Sequence, residues 1–314
     1  MLNVLFFGTP ATAVPFLDWL SVHSNVVGAV CRPDEPVGRG YAVTAPPVKL
    51  FAQKKEIPVF QPAGPWTEAQ FEEFKALKAD IGIIVAYGRI LPRPAFLAPR
   101  LGSLNIHFSL LPQYRGAAPI QWSLINGDSR TGVTGFWLEE GLDSGPIFHQ
   151  SNVPIEPDDN VKTLREKLIK SGIDLLGRVM TDTAKGAIIR RPQEGECTLA
   201  PQLKKDDGKI SWERPSKEIV NLVRGVMEWP GAATTYRPDG GAAKLLKVFR
   251  ASAVPAARGE MGEIVEAGSL GVVVKTRDAG VRLEEVQPEG KKPMPAWSFW
   301  QGARLKTGDK LGDK

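Results

Sequence analysis

The stretch DIGIIVAYG, residues 80–88, is a continuous apolar run opened by an aspartate and closed by a glycine. A strand with one wet face alternates apolar and polar side chains. A strand covered on both faces reads as a short unbroken apolar run. Residues 80–88 are therefore expected to form an inner strand of a parallel sheet with helices on either side. Outward from it the chain alternates. NVLFFG (3–8), NVVGAV (25–30), PVF (58–60), GSLNIHF (102–108) and GVTGFWL (132–138) read as strands, and helices are expected over 11–21, 47–56, 67–78, 117–127 and 158–186. Thr9-Pro10 looks like an N-cap and a first helical position, and TEAQ at 67–70 like a capping start. This βα rhythm predicts an α/β fold with a doubly wound, mostly parallel sheet.

The texture changes after about residue 190. RRPQEGECTLAPQLKKDDG has no sustained period and reads as linker, with 191–207 as its span. Beyond it come one helix, SKEIVNLVRGVM (216–227), and short β-prone runs with turn signals, the pattern of a small β-barrel. The expected domains are 1–190 and 208–314. The segment RPDEPVGRGYAVTAPPVK (32–49), rich in proline and glycine, fits neither element type and is expected as an irregular, functional loop. Arg39, between Gly38 and Gly40, suits a probing contact better than packing.

With 314 residues, two domains are the length expectation. No apolar run approaches the roughly 18 residues needed to span a bilayer, and MLNVLFFGTP lacks the basic flank and cleavage site of a signal peptide. Two distant cysteines and three histidines without close spacing speak against a zinc site and for a reducing cytoplasm. The net charge of +5 is unevenly placed: residues 1–203 hold 20 basic and 20 acidic side chains, whereas residues 204–314 hold 20 and 15. A basic C-terminal part suits an acidic partner such as nucleic acid, although charge alone favours a solvated basic surface.

Several function classes lack their signatures. Gly8 is followed by Thr-Pro-Ala, so the first strand has no dinucleotide-binding turn, and there is no phosphate-binding P-loop and no G-x-S-x-G elbow. In doubly wound sheets ligands bind outside the carboxyl ends of strands. Asn105 and His107 sit at such an end, two residues apart and so on one strand face. An amide donates to a developing oxyanion, and an imidazole moves protons near neutral pH. Asp143, in the glycine-flanked EEGLDSG, is the candidate third group. Asn, His and Asp together suit acyl-type transfer to a neutral amine without metal. The same residues are equally compatible with a satisfied core histidine, a turn asparagine and a turn aspartate. Leu110 and Leu111 in SLLPQYRG are candidates for an apolar wall, Arg115 for an anion contact, and the backbone after Tyr87 for pairing with a flat heterocycle.

LNIHFSLLPQYRGAAPIQWSLINGD, followed by GVTGFWLEEGLDSGPI, resembles the 10-formyltetrahydrofolate-dependent formyltransferase family. The resemblance implies catalysis by Asn105, His107 and Asp143, and folate contacts from Ser109, Leu110, Leu111 and Pro112 together with Tyr87, Gly88 and Ile90. FFGTPATAVPFL, the 32–49 segment, DDGKISW, VRGVMEWPGAATTY and the C-terminal VQPEGKKPMPAWSFWQGARLKTGDKLG resemble the branch that formylates methionyl-initiator tRNA. They extend the likeness over nearly the whole chain. It implies a Rossmann-like formyltransferase domain followed by an OB-like β-barrel that binds tRNA. It also implies tRNA contacts at Arg39 and Lys49, 10-formyltetrahydrofolate as co-substrate with no metal, and a monomer without membrane partners. A formyltransferase acting on a sugar amine is the alternative. Tyr41 and Ala42 stand where the family usually has basic residues, which leaves Arg39 more of the tRNA contact. FWLEEGLDSG replaces a more typical methionine-rich strand.

Overall fold

The run at 80–88 becomes the strand Ile81–Val85, every residue of it buried. The computed structural model describes residues 1–37, 42–238, 241–255 and 258–312. In chain order the first strands are β1 (Asn3–Gly8), β2 (Asn25–Val30), β3 (Glu35–Val37), β4 (Ala42–Thr44), β5 (Val59–Phe60), β6 (Ile81–Val85), β7 (Ser103–His107), β8 (Arg130–Trp137) and β9 (Ile147–Pro154). Seven of them form one sheet in the order β5-β2-β1-β6-β7-β8-β9. The ladders from β5 to β7 are parallel and β7–β8 is antiparallel. From β1 the chain winds first toward β2 and β5 and then to β6 on the other side. The sheet's topological switch point therefore lies between β1 and β6, beside β7.

The helices are α1 (Val14–His23), α2 (Pro47–Lys54), α3 (Glu68–Ala76), α4 (Arg93–Phe96), α5 (Pro119–Ile125) and α6 (Val161–Ala184). Thr67 caps α3 as expected: its hydroxyl accepts from Gln70 N while the Gln70 side chain accepts from Thr67 N. Thr9 behaves differently from its expected cap role. A 3-10 turn over Ala11–Ala13 precedes α1, and the Thr9 hydroxyl donates to Tyr87 O at 2.7 Å, joining the ends of β1 and β6. The 32–49 segment, expected to be irregular, contains a short antiparallel hairpin, β3 with β4. Glu35 pairs with Arg32, and Lys49 with Asp34, at its base. β9 had no counterpart in the sequence reading, because IFHQSNVP mixes polar and apolar residues without a clean period.

By compactness the described residues divide into two units, one of Met1–Gly116, Thr131–Pro154 and Glu166–Leu199, the other of Ala117–Arg130, Ile155–Arg165 and Ala200–Lys314. In the first, Leu5, Phe7, Val30, Phe74, Tyr87 and Phe96 share a core in which Phe7 meets Phe74 and Tyr87 edge-on. The second holds α7 (Ser216–Gly225), then β10 (Ala232–Tyr236), β11 (Lys244–Val254), β12 (Ile264–Gly268), β13 (Gly271–Lys275), β14 (Gly280–Pro288), β15 (Met294–Pro295) and α8 (Ala296–Gly302). Its strands run β10-β11-β14-β13-β12, with β15 on β14, in antiparallel ladders. Helix α7 supplies Ile219, Leu222 and Val223 to a core with Leu246, Val274 and Leu283. Among the described residues no helix is long and apolar enough to cross a membrane.

Candidate functional site

The site grows from the carboxyl end of β7. Leu104 and Ile106 alternate with Asn105 and His107. A Cβ placed at Gly135 would meet Leu104 and Leu175, and one at Gly172 would approach Ile106, so the apolar pair faces α6. Asn105 and His107 therefore share the opposite face. Across the antiparallel ladder they lie opposite Phe136 and Thr134, and the Phe136 ring stands edge-on to the imidazole.

His107 is 6% exposed. Its Nε2 lies 2.8 Å from Tyr114 O. A carbonyl only accepts, so Nε2 carries a proton, and in the neutral ring Nδ1 is the acceptor nitrogen. Asp143 Oδ2 lies 3.7 Å from Nδ1. That separation is an electrostatic contact, too long for a hydrogen bond. The imidazole is thus oriented by the Tyr114 carbonyl, with the Asp143 carboxylate beside its other nitrogen. Burial pulls the His107 pKa below its usual value, and the Asp143 carboxylate opposes that shift. Asp143 Oδ2 also accepts from Gly116 N at 2.8 Å. Asn105 is half-buried, and its carboxamide has no hydrogen-bond partner among the described residues.

Two residues beside this pair occupy left-handed backbone, Tyr114 at φ +61° and Asp143 at φ +47°. For side chains larger than glycine such conformations cost of order 1–3 kcal/mol and persist where surrounding bonds over-determine them. Thr198 supplies some of those bonds. Its Oγ1 accepts from Tyr114 N (2.9 Å), its carbonyl accepts from Arg115 N (2.9 Å), and its own N–H donates to Pro112 O (3.3 Å). The 191–199 stretch, read from sequence as linker, is thus hydrogen-bonded to the turn that follows β7.

The remaining candidates separate into exposed and framework positions. Ser109 is fully buried, its hydroxyl donating to Gln113 O. Leu111 is buried, with its N–H on Thr134 Oγ1 and its carbonyl on Gln150 Nε2, and Pro112 is buried too. Leu110 is half-buried against Gly132. Tyr87 turns inward at 2% exposure, and its hydroxyl has no partner among the described residues. Burial pushes that phenol up to about 12. Gly88 and Ile90 are exposed, Ile90 at 91%, and residues 88–90 make no backbone hydrogen bond among the described residues. Of the wall expected from sequence, Leu110, Gly88 and Ile90 present surface, while Ser109, Leu111, Pro112 and the Tyr87 ring are framework. Arg115, a candidate anion contact, directs its guanidinium to Gln193 Oε1. Lys49 Nζ is held by both carboxylate oxygens of Asp34, at 2.9 and 2.7 Å. Arg39 lies outside the described residues. Among the described residues no cluster of His, Cys, Asp and Glu could hold a metal ion.

The sequence reading gives Thr9 only a cap role and does not single out Gln193. Nothing local marks Thr9 as the link between β1 and β6, and Gln193 lies in a stretch without periodicity.

A family model described as formyl transferase matches residues 2–180, and one described as formyl transferase, C-terminal domain, matches 202–304. A protein named methionyl-tRNA formyltransferase from Thermodesulfovibrio yellowstonii is 42% identical over 309 residues, 98% of this chain and 97% of that one. One of the same name from Geobacter sulfurreducens is 39% identical, over 99% and 97%. Among solved structures, an N-formyltransferase from Helicobacter canadensis, in complex with folinic acid and dTDP-3-aminofucose, has a TM-score of 0.67 at 19% identity, covering 92% of this chain and all of that one. HypX from Aquifex aeolicus in complex with tetrahydrofolic acid has a TM-score of 0.62 at 16% identity, covering all of this chain and 51% of that one. At such identities these structures speak for the fold alone.

Proposed function

Because the chain belongs to the formyl transferase family, we propose that it transfers the formyl group of 10-formyltetrahydrofolate to the α-amino group of methionine esterified to initiator tRNA. The product, N-formylmethionyl-tRNA, serves translation initiation. End-to-end relatedness to methionyl-tRNA formyltransferases supports the tRNA substrate over a sugar amine, as does the match to the formyltransferase C-terminal domain.

The observation that carries the chemistry is the end of β7. An unpartnered Asn105 carboxamide shares a face with an imidazole whose Nδ1 lies 3.7 Å from a carboxylate. In the proposed reaction the neutral amine attacks the formyl carbon, and the carbonyl oxygen becomes an oxyanion. The Asn105 amide N–H donates to that oxyanion. The amine nitrogen must then lose a proton and the folate N10 must gain one before the C–N10 bond breaks. His107 Nδ1, with the Asp143 charge beside it, is placed to carry that proton, because Nε2–H is held by Tyr114 O. Gly88 and Ile90, exposed and with unpaired backbone, are the folate contacts we favour, with Leu110 as apolar wall. For tRNA we assign contacts to Arg39, to Lys49 if it leaves Asp34, and to the basic residues after 203.

The test is formyl transfer measured on methionyl-tRNA and on a nucleotide-linked amino sugar with the same folate donor. Transfer to methionyl-tRNA only is expected; transfer to the sugar only would reject the tRNA reading. Asn105→Ala should lower kcat about 100- to 1000-fold, the scale of a lost oxyanion donor. Wild-type turnover in His107→Ala would remove the proton-transfer assignment.

A further inference from the structure

We infer that Gln193 is a positioning residue for the His107–Asp143 pair, holding together the two loops from which that pair is built. The inference rests on the catalytic reading of His107 and Asp143 given above.

Gln193 lies outside both family matches, which end at 180 and resume at 202. Its carboxamide is used at every position. Nε2 donates to Asp143 O at 2.7 Å and to Gly145 O at 2.8 Å. Oε1 accepts from Arg115 Nη2 at 2.6 Å and from Nε at 3.2 Å. Asp143 and Gly145 belong to the loop after β8, and Arg115 to the turn after β7. One side chain therefore bridges both loops.

The geometry of the reacting pair depends on that bridge. His107 is anchored to the β7 turn through Tyr114 O, and Asp143 meets the same turn through Gly116 N. The Asp143 backbone sits in the left-handed region, where an aspartate relaxes unless its peptide groups are held. Two donors from one amide, both aimed at carbonyls of the Asp143 loop, supply that hold. The chain around Gln193 is itself fixed. Arg191 exchanges backbone hydrogen bonds with Ile147, Ile189 O accepts from Trp137 Nε1, and Thr198 ties down Tyr114 and Arg115. Displacing a reacting group by about 1 Å costs on the order of 100-fold in rate. A slackened bridge should therefore lower turnover with little effect on binding.

The separating variant is Gln193→Glu. Its carboxylate still accepts from Arg115 but cannot donate to the Asp143 and Gly145 carbonyls. Measured on the full chain with methionyl-tRNA and 10-formyltetrahydrofolate, it should lose about 10- to 100-fold in kcat. Both KM values should stay within about threefold, and Tm within about 2 °C. Gln193→Ala should lose as much kcat. Thr198→Val, which removes the acceptor of Tyr114 N, should lose kcat with unchanged KM as well, while Gln193→Ala decides the matter if Gln193→Glu does not fold. Wild-type kcat in Gln193→Glu overturns the inference, as does a loss in all three variants that merely follows the folded fraction. Asp143→Asn is measured alongside. If it is impaired while Gln193→Glu is not, the positioning role alone fails; if Asp143→Asn turns over normally, the site reading beneath it fails.

Discussion

His107 is buried, with one nitrogen tied to a backbone carbonyl and the other 3.7 Å from a carboxylate. Burial opposes charging the ring, so its native pKa lies below the ordinary value of 6.5. Below about pH 6.5 the unfolded chain takes up a proton on this histidine that the native state does not. Stability therefore falls as pH drops through that range, and above it the residue contributes no pH dependence. The wild-type Tm should drop further between pH 7.5 and 5.5 than that of His107→Gln. Equal drops in thermal scans would mean the ring charges freely in the native state. Asn105 and His107 were legible as a pair because strand alternation is a local rule. That Tyr114 O orients the imidazole was not legible, since it depends on the course of the turn seven residues on.

At the scale of elements, the loop after β8 is packed against the strand it leaves. A Cβ added at Gly145 would lie 1.8 Å from Trp137 O, and the Trp137 N–H already donates to Pro146 O. Backbone cannot yield as a side-chain tip can. Gly145→Ala should therefore cost about 1–3 kcal/mol in urea unfolding and should reduce turnover by shifting Asp143. An unchanged unfolding midpoint would show that the loop is slack. The same region marks where element reading stopped. GVTGFWL was legible as a strand but not as antiparallel to β7, because an apolar run covered on both faces carries no mark of direction. The 191–199 stretch read as linker because its bonds come from single side chains such as Gln193 and Thr198, which leave no period.

At the scale of the molecule, two of the cores among the described residues differ in construction. One is built on aromatic packing around β1 and β6, the other on aliphatic packing beneath α7. Leu222 is 4% exposed in the second core, and Leu222→Ala should cost about 2–5 kcal/mol on chemical denaturation. The charge excess after residue 203 has its own consequence. If basic side chains there neutralise tRNA phosphates, KM for methionyl-tRNA should rise about tenfold between 50 and 200 mM salt, the effect of roughly two phosphate contacts. KM for the folate should change little. A salt-independent KM for tRNA would sever the basic C-terminal part from tRNA binding.

The sequence by itself determined the α/β class, the position of β6 as an inner strand, the helix start at Thr67, the shared face of Asn105 and His107, and the charge asymmetry. All of these follow from spacing along the chain or from composition, which local rules read directly. Only the tertiary structure decided that Thr9 joins β1 to β6 and that 32–49 holds a hairpin. It also decided that Ser109 and Leu111 are framework, and that Gln193 braces Asp143. Each of these is fixed by hydrogen bonds between residues distant in sequence or by the path of a turn, and such partners are chosen by packing, which no local pattern encodes.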